Sequence, residues 1–179
     1  MTMRFFFLSL LLFLSGIAPM EAAAQAAPEG PLSTRALKDG AYRIMIFQQT
    51  VKLKNGLYEP VKPSQKALLS GKYLRVEMGP AALGDLTGDG REEAAVILRS
   101  SGGGSGVFYE VAAVVNKEGR PVHQASAELG DRVKIHHLAI QSGMIVIDLT
   151  THGPDDPACC PTVRKVVRYR LAGNKLEPR

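Results

Sequence analysis

What most limits the fold of this chain is its apolar rhythm. From Tyr42 onward apolar side chains recur at every second residue, in short runs broken by turn-forming residues. A period of two matches the alternating faces of a β-strand, whereas a helix needs about 3.6. The runs are "YRIMIFQQTVKL", "LYEPV", "YLRVEM", "EAAVILR", "VFYEVAAVVN", "PVHQASA", "VKIHHLAIQ", "MIVIDLTT" and "TVRKVVRYRLA". Most are separated by brief connections such as "KNG", "SSGGGSG", "KEGR" and "QSG". Short connections favour antiparallel neighbours, so the expected fold is all-β: an antiparallel meander sheet or sandwich of about 8–9 strands. Asn55 and Gly56 suit the positive φ angles of a tight hairpin turn. At most one short helix is expected, over residues 63–71 ("PSQKALLSG"). No repeat at a period of roughly 20–50 residues is visible, which argues against a propeller or solenoid.

The first 26 residues follow another rule. "MTMR", the apolar run 5–17 and "AAAQAA" have the basic start, apolar centre and small-residue cleavage site of a secretory signal peptide. The run is too short to span a bilayer, which takes about 20 apolar residues. Residues 27–40 are expected to be a flexible N-terminal segment and 41–179 a single β domain. No cysteine stands after the apolar run to carry a lipid, so a periplasmic or secreted protein is expected, with no transmembrane segment in its mature form.

Loss of Arg4 and Glu21 with the signal leaves the net charge at +5. That balance suits weak attraction to anionic surfaces. Four of the six Phe also lie in the signal and the chain has no Trp. Aromatic residues interleaved with basic ones, the pattern of a nucleic-acid platform, are missing, so no nucleic acid partner is expected.

The strands differ in which faces they bury. Residues 111–115 and 144–147 are apolar throughout, which predicts strands covered on both faces. The last run alternates Val163, Val167, Tyr169 and Leu171 against Arg164, Arg168 and Arg170, with Lys165 out of pattern. One face is then core and the other a basic stripe, either a charged guard against unwanted strand pairing or a docking face for phosphate-rich or carboxylate-rich envelope polymers.

"DLTGDGREE" has the spacing of a calcium loop. Asp85, Thr87 and Asp89 fall at positions one, three and five, Gly90 at six, the Arg91 carbonyl at seven and Glu93 at nine. Position twelve is Val96, so the bidentate carboxylate of an EF-hand is absent, and a strand follows where an EF-hand has a helix. Calcium held by so few carboxylates would bind weakly, with a dissociation constant on the order of 10⁻⁴ to 10⁻³ M. The competing reading is a plain turn, with Asx-type bonds from Asp85 and Asp89 and left-handed backbone at Gly88 and Gly90.

The loop over 85–93 resembles the "D-x-N-G-D-G" calcium loops of integrin-type FG-GAP repeats and of dockerins. Over residues 53–171, the order D-x-x-G-D-G, "AAVIL", "GGSG" with a following aromatic, "LGDRV" and "CCPT" resembles a group of uncharacterised bacterial exported proteins and lipoproteins that share a small β domain. That resemblance implies a β fold and an exported protein, and no biochemical activity.

If the strands from Glu93 onward run strictly up and down, "SSGGGSG", "ELGDR" and "HGPDDPACCP" share one end. The Asp-rich loop lies at the other, about 20 Å away at 3.3 Å per strand residue. The loop-rich end would collect Ser105, Asp131, Arg132, His152, Asp155, Asp156, Cys159 and Cys160, and is the first place to look for a ligand site. Ser105 is not in a G-x-S-x-G elbow, and pairing of His152 with Asp155 or Asp156 rests on the assumed topology alone. His136 and His137 are adjacent in a strand, which predicts one in the core and one on the surface.

Cys159 and Cys160 are the only cysteines. In an oxidising compartment three outcomes compete: a vicinal disulfide, a soft-metal thiol site with His152, and pairing with another chain. Adjacent Cα atoms lie about 3.8 Å apart, below the usual disulfide range of about 4.4–6.8 Å, so a vicinal bond would be easily reduced. The expected function is that of an exported periplasmic binding or interaction module. Its partner would be an envelope component or a small ligand, and one weak calcium site would steady it. The alternative is a hydrolase or redox-active protein with its site around Ser105, His152 and Cys159/Cys160.

Overall fold

The computed structural model describes residues 30–60, 62, 64–71 and 73–179; residues 1–26, expected to be a signal peptide, lie outside them. The chain is all-β, with eleven strands in three antiparallel sheets and two short helices among the described residues. In order these are α1 (Thr34–Lys38), β1 (Ala41–Ile44), β2 (Gln49–Lys52), β3 (Leu57–Tyr58), α2 (Gln65–Leu69), β4 (Arg75–Gly84), β5 (Glu93–Ser101), β6 (Phe108–Lys117), β7 (Arg120–Asp131), β8 (Lys134–Gln141), β9 (Met144–Thr151), β10 (Val163–Ala172) and β11 (Lys175–Pro178). Among the described residues, no helix is long and apolar enough to cross a membrane.

A five-stranded meander, β3-β4-β5-β6-β7, lies in the middle. Its odd-numbered residues Ala95, Ile97, Val111 and Ala113 pack against Ile145, Ile147 and Leu149 of the four-stranded meander β11-β10-β9-β8. Its even-numbered residues Val96, Leu98, Ala112 and Val114 pack against Tyr42, Ile44, Val51 and Leu53 of the β1-β2 hairpin and against Leu37 of α1. Two covered faces explain why residues 94–98 and 111–114 are apolar at every position.

β9 differs from the expectation. Ile145, Ile147 and Leu149 are buried, while Met144, Val146 and Asp148 alternate with them on a partly exposed outer face. Its apolar run therefore has one buried face and one that is only partly covered among the described residues.

Eleven strands replace the expected 8–9 for two reasons. "YRIMIFQQTVKL" is a hairpin rather than one strand, turning at Met45–Gln48 without glycine or proline. Gln48 adopts φ 51° and closes the turn with its own N–H on the Met45 carbonyl, while its side chain bridges Met45 O and Arg43. At the other end, Gly173 at φ 59° turns the chain back into β11. The Asn55–Gly56 turn forms as expected, with φ of 52° and 82° between the bridged pair Lys54 and Leu57.

Two helices replace the expected maximum of one. α2 lies inside the 63–71 segment, capped by Ser64. α1, capped by Ser33, falls in the segment expected to be flexible. Leu32 and Leu37 are buried there, and the Tyr42 hydroxyl donates to Leu37 O at 2.7 Å, so residues from about 32 onward belong to the core.

Candidate functional site

The Asp-rich loop joins β4 to β5 and is built around two carboxylates that accept backbone N–H groups. Asp85 Oδ1 accepts from Thr87 N (3.1 Å) and Gly88 N (2.6 Å), and its Oδ2 from Gly90 N (2.9 Å). Glu93, 2% exposed, reaches back from the start of β5 to accept from Leu86 N (2.9 Å) and Thr87 N (3.1 Å). Gly88 and Gly90 take φ of 80° and 81°, which only glycine adopts without strain. Leu86 is 5% exposed and packs into the core between the two larger sheets, anchoring the loop.

These bonds are those of a turn, and the same geometry gathers negative charge. One oxygen each from Asp85, Asp89 and Glu93 lie within 4.8 Å of one another. Asp89 holds Arg91 through the backbone N–H at 2.9 Å and the guanidinium at 2.9 Å. The backbone bond from Arg91 and then its side chain hold the Asp89 carboxyl below its ordinary pKa, with the Thr87 side chain adding a smaller contribution. The loop thus brings together positions one, five and nine. Thr87 stands beside Asp89, and Arg91 meets it as a cation.

At the opposite end of the strands Arg132 ties three loops together. Its N–H donates to Val107 O at 2.7 Å, and its guanidinium donates to Ser105 O, to Asp131 Oδ2 and, at 2.6 Å, to Ala158 O. Asp131 Oδ1 accepts from Val107 N at 2.7 Å. Arg132 sits at φ 49°, a conformation that a bulky residue adopts only where its surroundings hold it. Asp156 closes the base of the last loop, accepting from Gly153 N (2.8 Å), Thr162 N (2.7 Å) and Thr162 Oγ1 (2.8 Å). Those donors, Gly153 first, hold its carboxyl below its ordinary pKa.

Cys159 and Cys160 are joined to each other and exposed. The three loops therefore converge as the up-and-down topology requires, with Arg132 bonded to each of them. Ser105 contributes its carbonyl, Asp155 is exposed, and His152 Nε2 is buried without a hydrogen-bond partner.

One cluster has no counterpart in the sequence reading. Glu110, 3% exposed, faces the β1-β2 hairpin and accepts from Met45 N at 2.9 Å. Burial pushes its carboxyl up to about 7, against the Met45 N–H and the Ser126 hydroxyl, while Glu128 adds to the rise. Ser126 Oγ lies 2.9 Å from His123 Nε2, and His123 Nδ1 accepts from Arg43 N at 3.4 Å. Burial lowers the His123 pKa, against a backbone bond at Ala125. The signal was present in "VFYEVAAVV": a lone charge in a run apolar on both faces.

The outer face of the four-stranded sheet carries the basic stripe. Register places Arg164, Val166, Arg168 and Arg170 opposite Thr150, Asp148, Val146 and Met144. Arg164 pairs with Asp148 at 2.7 Å, and that guanidinium lowers the Asp148 pKa. Among the described residues, Arg168 and Arg170 form no ion pair; Glu177, opposite Arg170 on β11, pairs with Arg179. His136 and His137 are both exposed, because a β-bulge between Ile135 and His137 breaks the alternation that predicted one inside. His136 Nε2 lies 2.8 Å from Thr150 Oγ1 on this face. By contrast, Arg99 at the rim of a cleft of about 440 Å³ between β4 and β8 is neutralised by Glu77.

No protein-family model, curated protein or solved structure matches this chain.

Proposed function

We propose that the chain is an exported interaction module that docks on an anionic envelope polymer through the outer face of its four-stranded sheet and is braced by one calcium ion. The observation that carries this reading is the row Arg164, Arg168 and Arg170 on β10, in which the last two guanidiniums form no ion pair among the described residues. At about 3.3 Å per strand residue Arg168 and Arg170 stand about 7 Å apart and Arg164 about 13 Å from Arg168, within reach of several carboxylate or phosphate groups of one extended polymer. Val166, 48% exposed between the arginines, offers apolar contact to the polymer backbone. Single exposed ion pairs contribute only about 0–1 kcal/mol, so docking relies on several together and weakens with salt.

The test is co-sedimentation with a polycarboxylate, with a polyphosphate-type polymer and with anionic lipid vesicles, at about 50 and about 500 mM NaCl. Binding to either polymer that is lost at high salt, and lost when Arg164, Arg168 and Arg170 are all changed to Glu, supports the reading. Binding to vesicles alone, or polymer binding untouched by the triple change, refutes it.

Calcium is supported by the three converging carboxylates at positions one, five and nine. With a dissociation constant of about 10⁻³ M, calcium at about 10 mM would add about 1.4 kcal/mol, or roughly 3–6 °C in Tm. A chelator-stripped sample should show that rise, and Asp89→Asn should lose most of it. An equal rise in the variant, or none in the native chain, would reduce the loop to a turn.

A further inference from the structure

We propose that Cys159–Cys160 is a thiol–disulfide exchange site that accepts two electrons from a protein dithiol. A disulfide ordinarily stabilises a fold by closing a loop of the unfolded chain, and the gain grows with loop length. This one joins neighbours, with a sequence separation of 1 and Cα atoms 3.8 Å apart, so it closes no loop.

The loop that carries it is fixed by other means. Asp156 clasps Gly153 and Thr162, Cys160 N donates to Pro157 O at 2.9 Å, Arg132 holds Ala158 O at 2.6 Å, and Pro161 is buried. Both cysteines are nonetheless exposed, as are Pro157 and Ala158 before them. A bond that contributes no loop closure, sits where a partner reaches it and rests on a backbone held independently can open and re-form without unfolding the protein. Those are the requirements for exchange chemistry.

A thiolate of the dithiol attacks one sulfur of the pair, the Cys159–Cys160 bond breaks, and the other cysteine leaves as a thiolate and takes a proton. The second thiol of the donor then attacks the donor's own sulfur in the mixed disulfide and releases the remaining cysteine, which is also protonated. The pair has gained two electrons and two protons, and the donor ends as a disulfide.

The test uses the full mature chain with a Cys-x-x-Cys protein dithiol and with dithiothreitol at equal thiol concentration, trapping free thiols with a maleimide and counting them by mass. The expected result is two thiols formed in native buffer, at least about 100-fold faster with the protein dithiol than with the small one. Glutathione disulfide should restore the intramolecular bond, and Tm should differ by less than about 4 °C between the two forms. A smaller rate ratio, protection of the bond until the protein unfolds, or a larger fall in Tm on reduction overturns the proposal, the last two marking a structural staple. The double variant Cys159→Ser/Cys160→Ser separates these independently: native Tm within about 4 °C supports the exchange site, and failure to fold refutes it.

Discussion

Replacing Glu110 by Gln should make the protein more stable at alkaline pH and remove much of its pH dependence. The folded carboxyl titrates at about 7 because burial disfavours its charge, against an ordinary value of 4.5. A carboxyl whose folded pKa is raised contributes stability that is full below its unfolded pKa and is lost as pH rises through the folded one. A gap of about 2.5 units corresponds to about 3 kcal/mol, expressed between roughly pH 4.5 and pH 8. For a domain of this size that is roughly 6–12 °C in Tm.

Gln keeps an acceptor for the Met45 N–H and cannot ionise, so the variant should match the native chain near pH 5 and exceed it near pH 8.5. His123 acts in the opposite sense: burial lowers its pKa, so its contribution is present above its ordinary value of 6.5 and is lost as pH falls. Glu128 and Arg43 also stand near this network and are unchanged in both proteins, so the difference between the two isolates Glu110. Thermal melts by far-ultraviolet circular dichroism from pH 5 to 8.5 measure it. A native-to-variant gap that stays constant with pH would show that the carboxyl carries no raised pKa and would refute the reasoning.

Arg91→Gln should tighten calcium binding several-fold, since the exposed Arg91–Asp89 pair competes with a cation for the same carboxylate; calorimetric titration of both proteins measures this. Ile97→Ala, at a site 1% exposed between the two larger sheets, should cost about 2–5 kcal/mol by denaturant melt. Gly84→Ala should cost about 1–3 kcal/mol by the same assay, because its new methyl would meet Ile140 Cγ2 at 2.8 Å where β4 passes β8.

The sequence made the strands legible because alternation is a direct record of burial, and the central sheet stood out by lacking it. What stayed hidden was local geometry that no residue type announces. The Met45–Gln48 turn uses a glutamine at positive φ, supported by side-chain bonds that exist only once the hairpin has formed. The bulge after Ile135 turns two adjacent histidines to the same exposure, although strict alternation would have separated them. The Asp-rich loop was legible as a ligand spacing, and its three acidic positions do converge. The inward turn of Glu93 was not, because its burial depends on Leu86 docking in the core.

Glu93 and Glu110 show one device used twice. Each is a carboxylate on a central strand, on opposite faces of the sheet and at opposite ends of it. Each accepts backbone N–H groups from a segment that lies against the sheet without joining its ladder: the Asp-rich loop for Glu93 and the hairpin turn for Glu110. Such N–H groups need acceptors once water is excluded, and a long acidic side chain supplies one where no strand can. The two sites differ in what else stands beside the carboxylate. Burial raises the Glu110 pKa to about 7, so a proton removes its charge below that value. Glu93 shares its loop with Asp85 and Asp89, with oxygens close enough for one cation to touch all three. The calcium ion proposed there would be shared by all three carboxylates, whereas the Glu110 carboxylate takes up only a proton.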